Sequence, residues 1–188
     1  MKTIKRDKQS YSNVAVIVPC LNEEKTIRHV VKSFIKVLPG AEIVVCDNGS
    51  KDRTADEAIK AGASVIYEPA RGKGKAIQRA FREVDATFYI MVDGDMTYDP
   101  LIAPNLIQIV EQSCIDMLVC ARTPVDPSQR RFGHHFGTWV YTVLVNFIFG
   151  LELSDLFSGY RVFSRAFVKS FPILSDGFEI ETEMTIHA

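Results

Sequence analysis

Phe88-Tyr89-Ile90-Met91-Val92-Asp93-Gly94-Asp95 decides how the chain is read. Its apolar half, rich in β-branched and aromatic side chains, predicts a buried strand of a parallel sheet. The two carboxylates that follow, one residue apart, then stand at the strand's carboxyl end, the edge where open α/β sheets bind ligands. Oxygen-only donors at this spacing suit Mg²⁺ or Mn²⁺ shared with the phosphates of a substrate. Asp-Gly is also a common turn former. The motif therefore takes its meaning from what the rest of the chain sets beside it.

Working outward, apolar strand-like runs alternate with segments of helical period, which predicts a parallel sheet with helices on both faces. Upstream come a strand over Val14 to Val18 and a helix with Ile27, Val30, Val31, Phe34, Ile35 and Leu38 on one face, ended by Pro39-Gly40. A strand over Ile43 to Cys46, a short helix carrying Ala55, Ala58 and Ile59, and a strand over Ser64 to Tyr67 follow. The helix before the carboxylate strand is expected from Lys73 to Val84. Downstream, Pro100 starts a helix near Leu101 to Glu111, and Met117 to Ala121 completes the regular pattern.

After Ala121 the character changes. The polar stretch Arg122 to Gly133, with Pro124, Pro127 and three arginines, reads as a functional loop. Trp139 to Phe149 is apolar on nearly every side but shorter than the roughly 20 residues a bilayer span takes. It reads as a buried helix or as one lying partly in a membrane interface. The chain stops at Ala188 inside a helix expected over Ile180 to His187, so a single domain from residue 13 to 188 is expected to be cut short at its carboxyl end. Residues 1–12 form a polar, basic arm and not a secretory signal.

At 188 residues with a net charge of −1, the chain fits one domain and gives no bulk electrostatic case for nucleic acid. Cys20, Cys46, Cys114 and Cys120 form no Cys-x-x-Cys pair and lie in or beside apolar runs, so they read as buried hydrophobes in a reducing compartment. The histidines offer no His-x-x-x-His pair for zinc.

Polar residues gather at four strand ends. The first strand ends in Pro19-Cys20-Leu21-Asn22-Glu23-Glu24, with Asn22 placed to cap the next helix. The second ends in Asp47-Asn48-Gly49-Ser50-Lys51-Asp52, where Asp47 has no evident structural task and would accept from a base N–H or a ribose hydroxyl. The third leads into Arg71-Gly72-Lys73-Gly74-Lys75, whose glycines permit close backbone approach and whose cations suit phosphate oxygens at a helix start. Ile77 stands where a dinucleotide fingerprint needs its third glycine, and no P-loop is present.

In that order these motifs resemble an inverting family 2 glycosyltransferase of GT-A fold. Ser158-Gly159-Tyr160-Arg161-Val162-Phe163 and Gly177-Phe178-Glu179-Ile180-Glu181-Thr182-Glu183 are similar to the branch that glycosylates polyprenyl phosphates. The resemblance runs from about Asn13 to His187. It implies a nucleoside pocket of Pro19, Asn22, Glu23 and Asp47, with Arg71, Gly72, Lys73 and Gly94 beside the donor. It further implies that Asp93 and Asp95 hold Mg²⁺ or Mn²⁺ on the diphosphate. Arg122, Arg130 and Arg131 would take the acceptor phosphate, and Ser158 and Arg161 would border the junction of sugar and acceptor. Thr97 stands where family members often have Gln.

The implied reaction moves a sugar from a nucleotide diphosphate sugar to a dolichyl or undecaprenyl phosphate, at the cytoplasmic face of a membrane, with an oligomer allowed. An anionic phosphate acceptor needs orientation by arginine such as Arg131 more than it needs a base. A hydroxyl acceptor needs a base, and Asp155 and Glu181 are the candidates, Asp155 being equally placed to cap a turn. The competing functions are a family 2 transferase acting on a sugar hydroxyl and a GT-A domain that binds nucleotide sugars without catalysis.

Overall fold

The structure is a computed structural model that describes residues 10–121, 141–143, 145–148, 150 and 155–188. Its centre is a six-stranded sheet in the order β3-β2-β1-β4-β6-β5. The strands are β1 (Val14–Cys20), β2 (Glu42–Asp47), β3 (Ser64–Tyr67), β4 (Phe88–Met91), β5 (Met117–Val119) and β6 (Arg161–Ser164). β3, β2, β1 and β4 pair in parallel, whereas β6 pairs antiparallel with both β4 and β5.

β6 is the main addition to the expected pattern. It comes from the Tyr160-Arg161-Val162-Phe163 motif and inserts between β4 and β5, with Ile90 opposite Val162 and Leu118 opposite Val162 on the other side. The carboxylate strand therefore lies inside the sheet, with β1 on one side and β6 on the other.

Alternation along each strand feeds two cores. Val14, Val16, Val18, Ile90 and Val162 face α1 (Ile27–Val37), α2 (Thr54–Ala61) and α4 (Ala103–Ser113). Ala15, Ile17, Tyr89, Met91 and Phe163 face α3 (Lys73–Glu83), α5 (Arg165–Ser170) and α6 (Ile180–His187). The central strands β1, β2 and β4 are buried on both faces, which is why their runs read as continuously apolar, whereas the edge strands β3 and β5 are only partly covered.

Several boundaries differ from expectation for local reasons. β1 runs through Pro19 to Cys20, because Pro19 and Cys20 keep the register opposite Cys46 and Asp47. Asn22 has φ +59° and is no helix cap; α1 begins after a turn, at Ile27. Pro100 starts a 3₁₀ turn, Pro100–Ile102, capped by the Asp99 side chain accepting from Leu101 N–H, and only then does α4 begin. Along the apolar stretch, 141–143 and 145–148 are helical. Thr142 and Val145 are buried, but Phe147 is 85% and Ile148 59% exposed. The expectation of a helix buried all round is corrected: its described part has a covered side and an apolar side that meets solvent. Among the described residues, no helix is long and apolar enough to cross a membrane.

Candidate active site at the carboxyl ends of β1 and β4

The chain goes out from β1 to β3 on one side and returns to β4 on the other. The crevice between the carboxyl ends of β1 and β4 is thus the switch point of the sheet. A cleft of about 450 Å³ opens there, lined among others by Pro19, Glu23, Asn48, Arg71, Lys73 and Asp93. Asp95, Gly94, Gly72 and Phe178 complete its rim.

Close packing sets the two carboxylates. A Cβ on Gly94 would come within 2.8 Å of Cys20 Sγ, so the turn between Asp93 and Asp95 lies directly on the end of β1. A Cβ on Gly159 would lie 2.2 Å from Asp93 Oδ2, so the chain entering β6 passes against the Asp93 carboxylate as only glycine permits. Tyr98 assists by accepting the Gly159 N–H at 2.7 Å. Asp95 is exposed, and its Oδ1 accepts from Thr97 N–H at 2.9 Å. Thr97 thus serves Asp95 through its backbone.

Lys73 is held between two carboxylates, 2.6 Å from Asp93 Oδ1 and 2.6 Å from Glu181 Oε1. Burial works to lower the lysine's pKa, but Asp93 and Glu181 outweigh it and the ammonium is held above its ordinary value. The exposed Phe178 ring lies 5.7 Å from the same ammonium. Glu23, on the β1 side, is pushed up by burial and by the neighbouring Asp95, against a hydrogen bond from Thr26.

The glycines of Arg71-Gly72-Lys73-Gly74 do something the motif did not disclose. A Cβ on Gly72 would meet Asp176 O at 2.0 Å, and one on Gly74 would meet Ser175 O at 2.1 Å. The close approach is to the protein's own strand of main chain before α6, and Lys75 N–H donates to Asp176 O at 3.3 Å. The close approach that the glycines were expected to permit is thus made by residues 175 and 176. Arg71 and the Lys73 side chain remain on the cleft.

At the tips of β1 and β2, hydrogen bonds reassign two residues. Asp47 is 5% exposed, and its Oδ1 accepts from Ser50 N–H at 2.9 Å, so it does hold a turn. Asn48, not singled out by the sequence, is the hub. Its Nδ2 donates to Glu68 O and Ala70 O, and its Oδ1 accepts from Gly72 N–H at 2.7 Å. It ties β2 to the Arg71 loop and lines the cleft itself. Asn22 joins the same loop system, its Oδ1 accepting from Lys51 N–H while its own N–H donates to Ser50 Oγ. Glu23 N–H donates to Thr54 Oγ1.

On the acceptor side, Ser158 and Arg161 are fully buried. Arg161 Nε donates to Ser158 O at 3.0 Å, Nη2 to Leu156 O at 2.7 Å and Nη1 to Thr185 Oγ1 at 2.8 Å. Burial draws its pKa down to about 10, with Glu181 opposing, and it stays a cation near neutrality. Ser158 Oγ donates to Cys120 O. Ser158 and Arg161, expected to border the acceptor, are buried and hydrogen-bonded within the protein, where they brace the β5–β6 region against α6. Asp155 Oδ1 accepts from Phe157 N–H at 3.2 Å, the turn-capping alternative. Arg122, Arg130 and Arg131 lie outside the described residues.

The site suits a divalent cation only as a shared ion. Among the described residues, no cluster of three or more acidic, histidine or cysteine side chains cages a metal. Asp93 and Asp95 offer hard oxygen donors at an open cleft, as fits Mg²⁺ or Mn²⁺ completed by substrate phosphates and water.

Residues 15–171 match the family model of Glycosyl transferase family 2. The chain belongs to this family. It is 46% identical over 123 residues to Protein RfbJ of Shigella flexneri, covering 65% of this chain and 95% of that protein. It is 30% identical to Glycosyltransferase AglJ of Haloferax volcanii, covering 92% of this chain and 57% of the relative. Its fold is that of glucosyl-3-phosphoglycerate synthase from Mycobacterium tuberculosis, with a TM-score of 0.77 at 27% identity over 93% of this chain and 64% of the synthase chain. The fold is thus GT-A, and the chain spans under two thirds of both AglJ and the synthase. Another structure of that synthase, at a TM-score of 0.77 and 26% identity, contains Mn²⁺, uridine diphosphate and glucosyl-3-phosphoglycerate.

Proposed function

We propose that this family 2 glycosyltransferase moves a sugar from a nucleotide diphosphate sugar to a polyprenyl phosphate, assisted by Mg²⁺ or Mn²⁺. The observation that carries the reading is the pairing of Asp93 and Asp95 beside Lys73 and Arg71 in one cleft at the switch point. In it Asp93 and Asp95 would hold the cation. When bound, the cation would supply Lewis-acid neutralisation of the departing nucleotide diphosphate. Arg71 and Lys73 add positive charge on the same side. Pro19, Glu23 and Asn48 form the wall toward the nucleoside, with Asn22 and Asp47 shaping the loops behind it. An acceptor oxygen arriving in line opposite the leaving group inverts the anomeric centre in one displacement.

Two observations favour a lipid phosphate as acceptor. A relative named Dolichyl-phosphate hexose transferase, from Haloferax volcanii, is 27% identical over 83% of this chain. The helical residues 141–143 and 145–148 also turn Tyr141, Val143, Phe147 and Ile148 to solvent, an apolar face that suits an isoprenoid chain or the membrane surface. Arg122, Arg130 and Arg131, just before it in sequence, are the proposed phosphate ligands. A hydroxyl-bearing acceptor is the second reading, favoured by the likeness to glucosyl-3-phosphoglycerate synthase. Neither base candidate is well placed for it: Glu181 is buried and ion-paired with Lys73, and Asp155 caps a turn.

The test is transfer from UDP-glucose, GDP-mannose and UDP-N-acetylglucosamine, with and without Mn²⁺, to a short polyprenyl phosphate and to a saccharide. Manganese-stimulated transfer to the lipid phosphate, with an acceptor requirement raised by Arg131→Ala, is the expected result. Transfer to the saccharide alone would move the acceptor assignment to the second reading.

A further inference from the structure

Lys73, Asp93 and Glu181 place one ammonium and two carboxylates in a largely closed spot. The side chain of Lys73 is 11% exposed and that of Glu181 4%. Asp93 belongs to the proposed cation site, yet one of its oxygens already holds Lys73 at 2.6 Å. A divalent cation arriving at Asp93 competes with that ammonium. A buried ammonium that loses its carboxylate is strongly disfavoured, so the exchange needs a second place for Lys73 to go.

Glu181 has the properties of that place. Its Oε1 is already on the ammonium, while its Oε2 is buried and has no hydrogen-bond partner. Buried acceptors left unmet are uncommon, and an ammonium has three donors to offer. The backbone that carries it is also anchored. Glu181 sits in the first turn of α6, its carbonyl accepts from Thr185 Oγ1 at 2.7 Å, and Thr185 is in turn fixed by the buried Arg161. Lys73 lies in the first turn of α3, where residues 175 and 176 pack on Gly72 and Gly74. Both backbones are held, so the exchange is made by side chains alone.

We propose that Glu181 is a positioning residue: when a divalent cation takes Asp93, Lys73 transfers wholly onto Glu181, whose unmet Oε2 is the acceptor kept for it. The pair thereby lets the site exchange its resident ammonium for a metal without stranding a buried charge, and keeps the lysine beside the donor. This inference rests on the metal-dependent reading of the site.

A double-mutant cycle on Mn²⁺ affinity, read by electron paramagnetic resonance with UDP or GDP present, tests it independently of turnover. Glu181→Gln is expected to weaken Mn²⁺ about tenfold while Lys73 is present and less than about twofold in a Lys73→Met background, where no ammonium needs rehousing. Equal losses in both backgrounds, or none in either, overturn the proposal by reducing Glu181 to a distant charge or a plain counter-ion. Should Lys73→Met fail to fold, a crystal structure of the wild type with Mn²⁺ and nucleotide diphosphate decides. Lys73 Nζ bonded to both Glu181 oxygens and clear of Asp93 supports the transfer, and Nζ still on Asp93 Oδ1 overturns it. A wild type that binds no Mn²⁺ with either nucleotide overturns the metal-dependent reading, and this proposal with it.

Discussion

Asp93-Gly94-Asp95 and Arg71-Gly72-Lys73-Gly74 look alike on paper, each a charged, glycine-bearing segment at a strand end, yet they use glycine for different ends. Gly94 lets a turn settle on the Cys20 side chain, and the flanking carboxylates stay on the cleft. Gly72 and Gly74 admit the backbone of Asp176 and Ser175, so the α3 start is taken up by the protein itself. One segment is open to a ligand and the other is a joint between distant parts of the chain. A glycine reports that something comes close and does not report whether that neighbour is substrate or self.

If the open segment is the catalytic one, the largest effect belongs to Asp95→Ala. Its carboxylate is exposed and its recorded structural partner is Thr97 N–H. Transfer is expected to fall below detection and Mn²⁺-stimulated binding of nucleotide diphosphate to vanish, while stability stays within about 0.5 kcal/mol. Calorimetric titration with and without Mn²⁺, beside a thermal melt, checks both halves. Unchanged metal-stimulated binding would sink the assignment and with it the contrast drawn here.

The joint is probed by substituting its glycines. Gly74→Ala drives a Cβ against a main-chain carbonyl that cannot swing away, so a loss of about 2–4 kcal/mol in urea unfolding is expected. Gly94→Ala meets a single sulfur, and about 1–2 kcal/mol is expected. The sharper contrast is rescue: in a Cys20→Ala background the added cost of Gly94→Ala should shrink to a few tenths of a kcal/mol, as expected when the clashing atom is gone. No single side-chain truncation should do the same for Gly74→Ala. Rescue at both glycines, or at neither, would erase the distinction.

How far the sequence carries the reading follows the same divide. β1 to β4 and the helices between them were legible because a buried parallel strand has one signature, an apolar run ending in turn chemistry. β6 was not, since Arg161 opens it and a charged residue argues against a core strand. The partners Ser158, Leu156, Thr185 and Met117, brought together by the fold, satisfy that guanidinium. The strand-end positions of Asp93, Asp95, Lys73 and Glu23 could be inferred from local pattern, but their pairings could not. Lys73 and Glu181 are 108 residues apart. Asn48 carries no charge to mark it in the sequence, although the amide, which both donates and accepts, is what a hub between two loops requires.

The smallest effect tests how the joint is locked. Glu183 Oε1 accepts from Leu174 N–H and Oε2 from Ser175 N–H, both at 2.8 Å, so one carboxylate fixes the segment that sits on Gly72 and Gly74. Burial tends to raise its pKa, but these hydrogen bonds prevail and hold it below the ordinary glutamate value. A depressed carboxylate contributes stability that is complete above its unfolded pKa, about 4.3, and is lost as pH falls through the lower folded value. Between neutrality and pH 5 the lock should therefore be unaffected, and it should release below about pH 4. Glu183→Gln replaces one acceptor oxygen with a donor, and it should cost about 1 kcal/mol at neutral pH. It should also flatten the acid limb of the stability profile relative to wild type. Hydrogen exchange at the Leu174 and Ser175 amides resolves this locally: faster exchange in the variant at pH 7, converging with wild type at low pH, is expected. Amides protected equally in both proteins at pH 7 would mean that the seat on the two glycines holds the joint unaided.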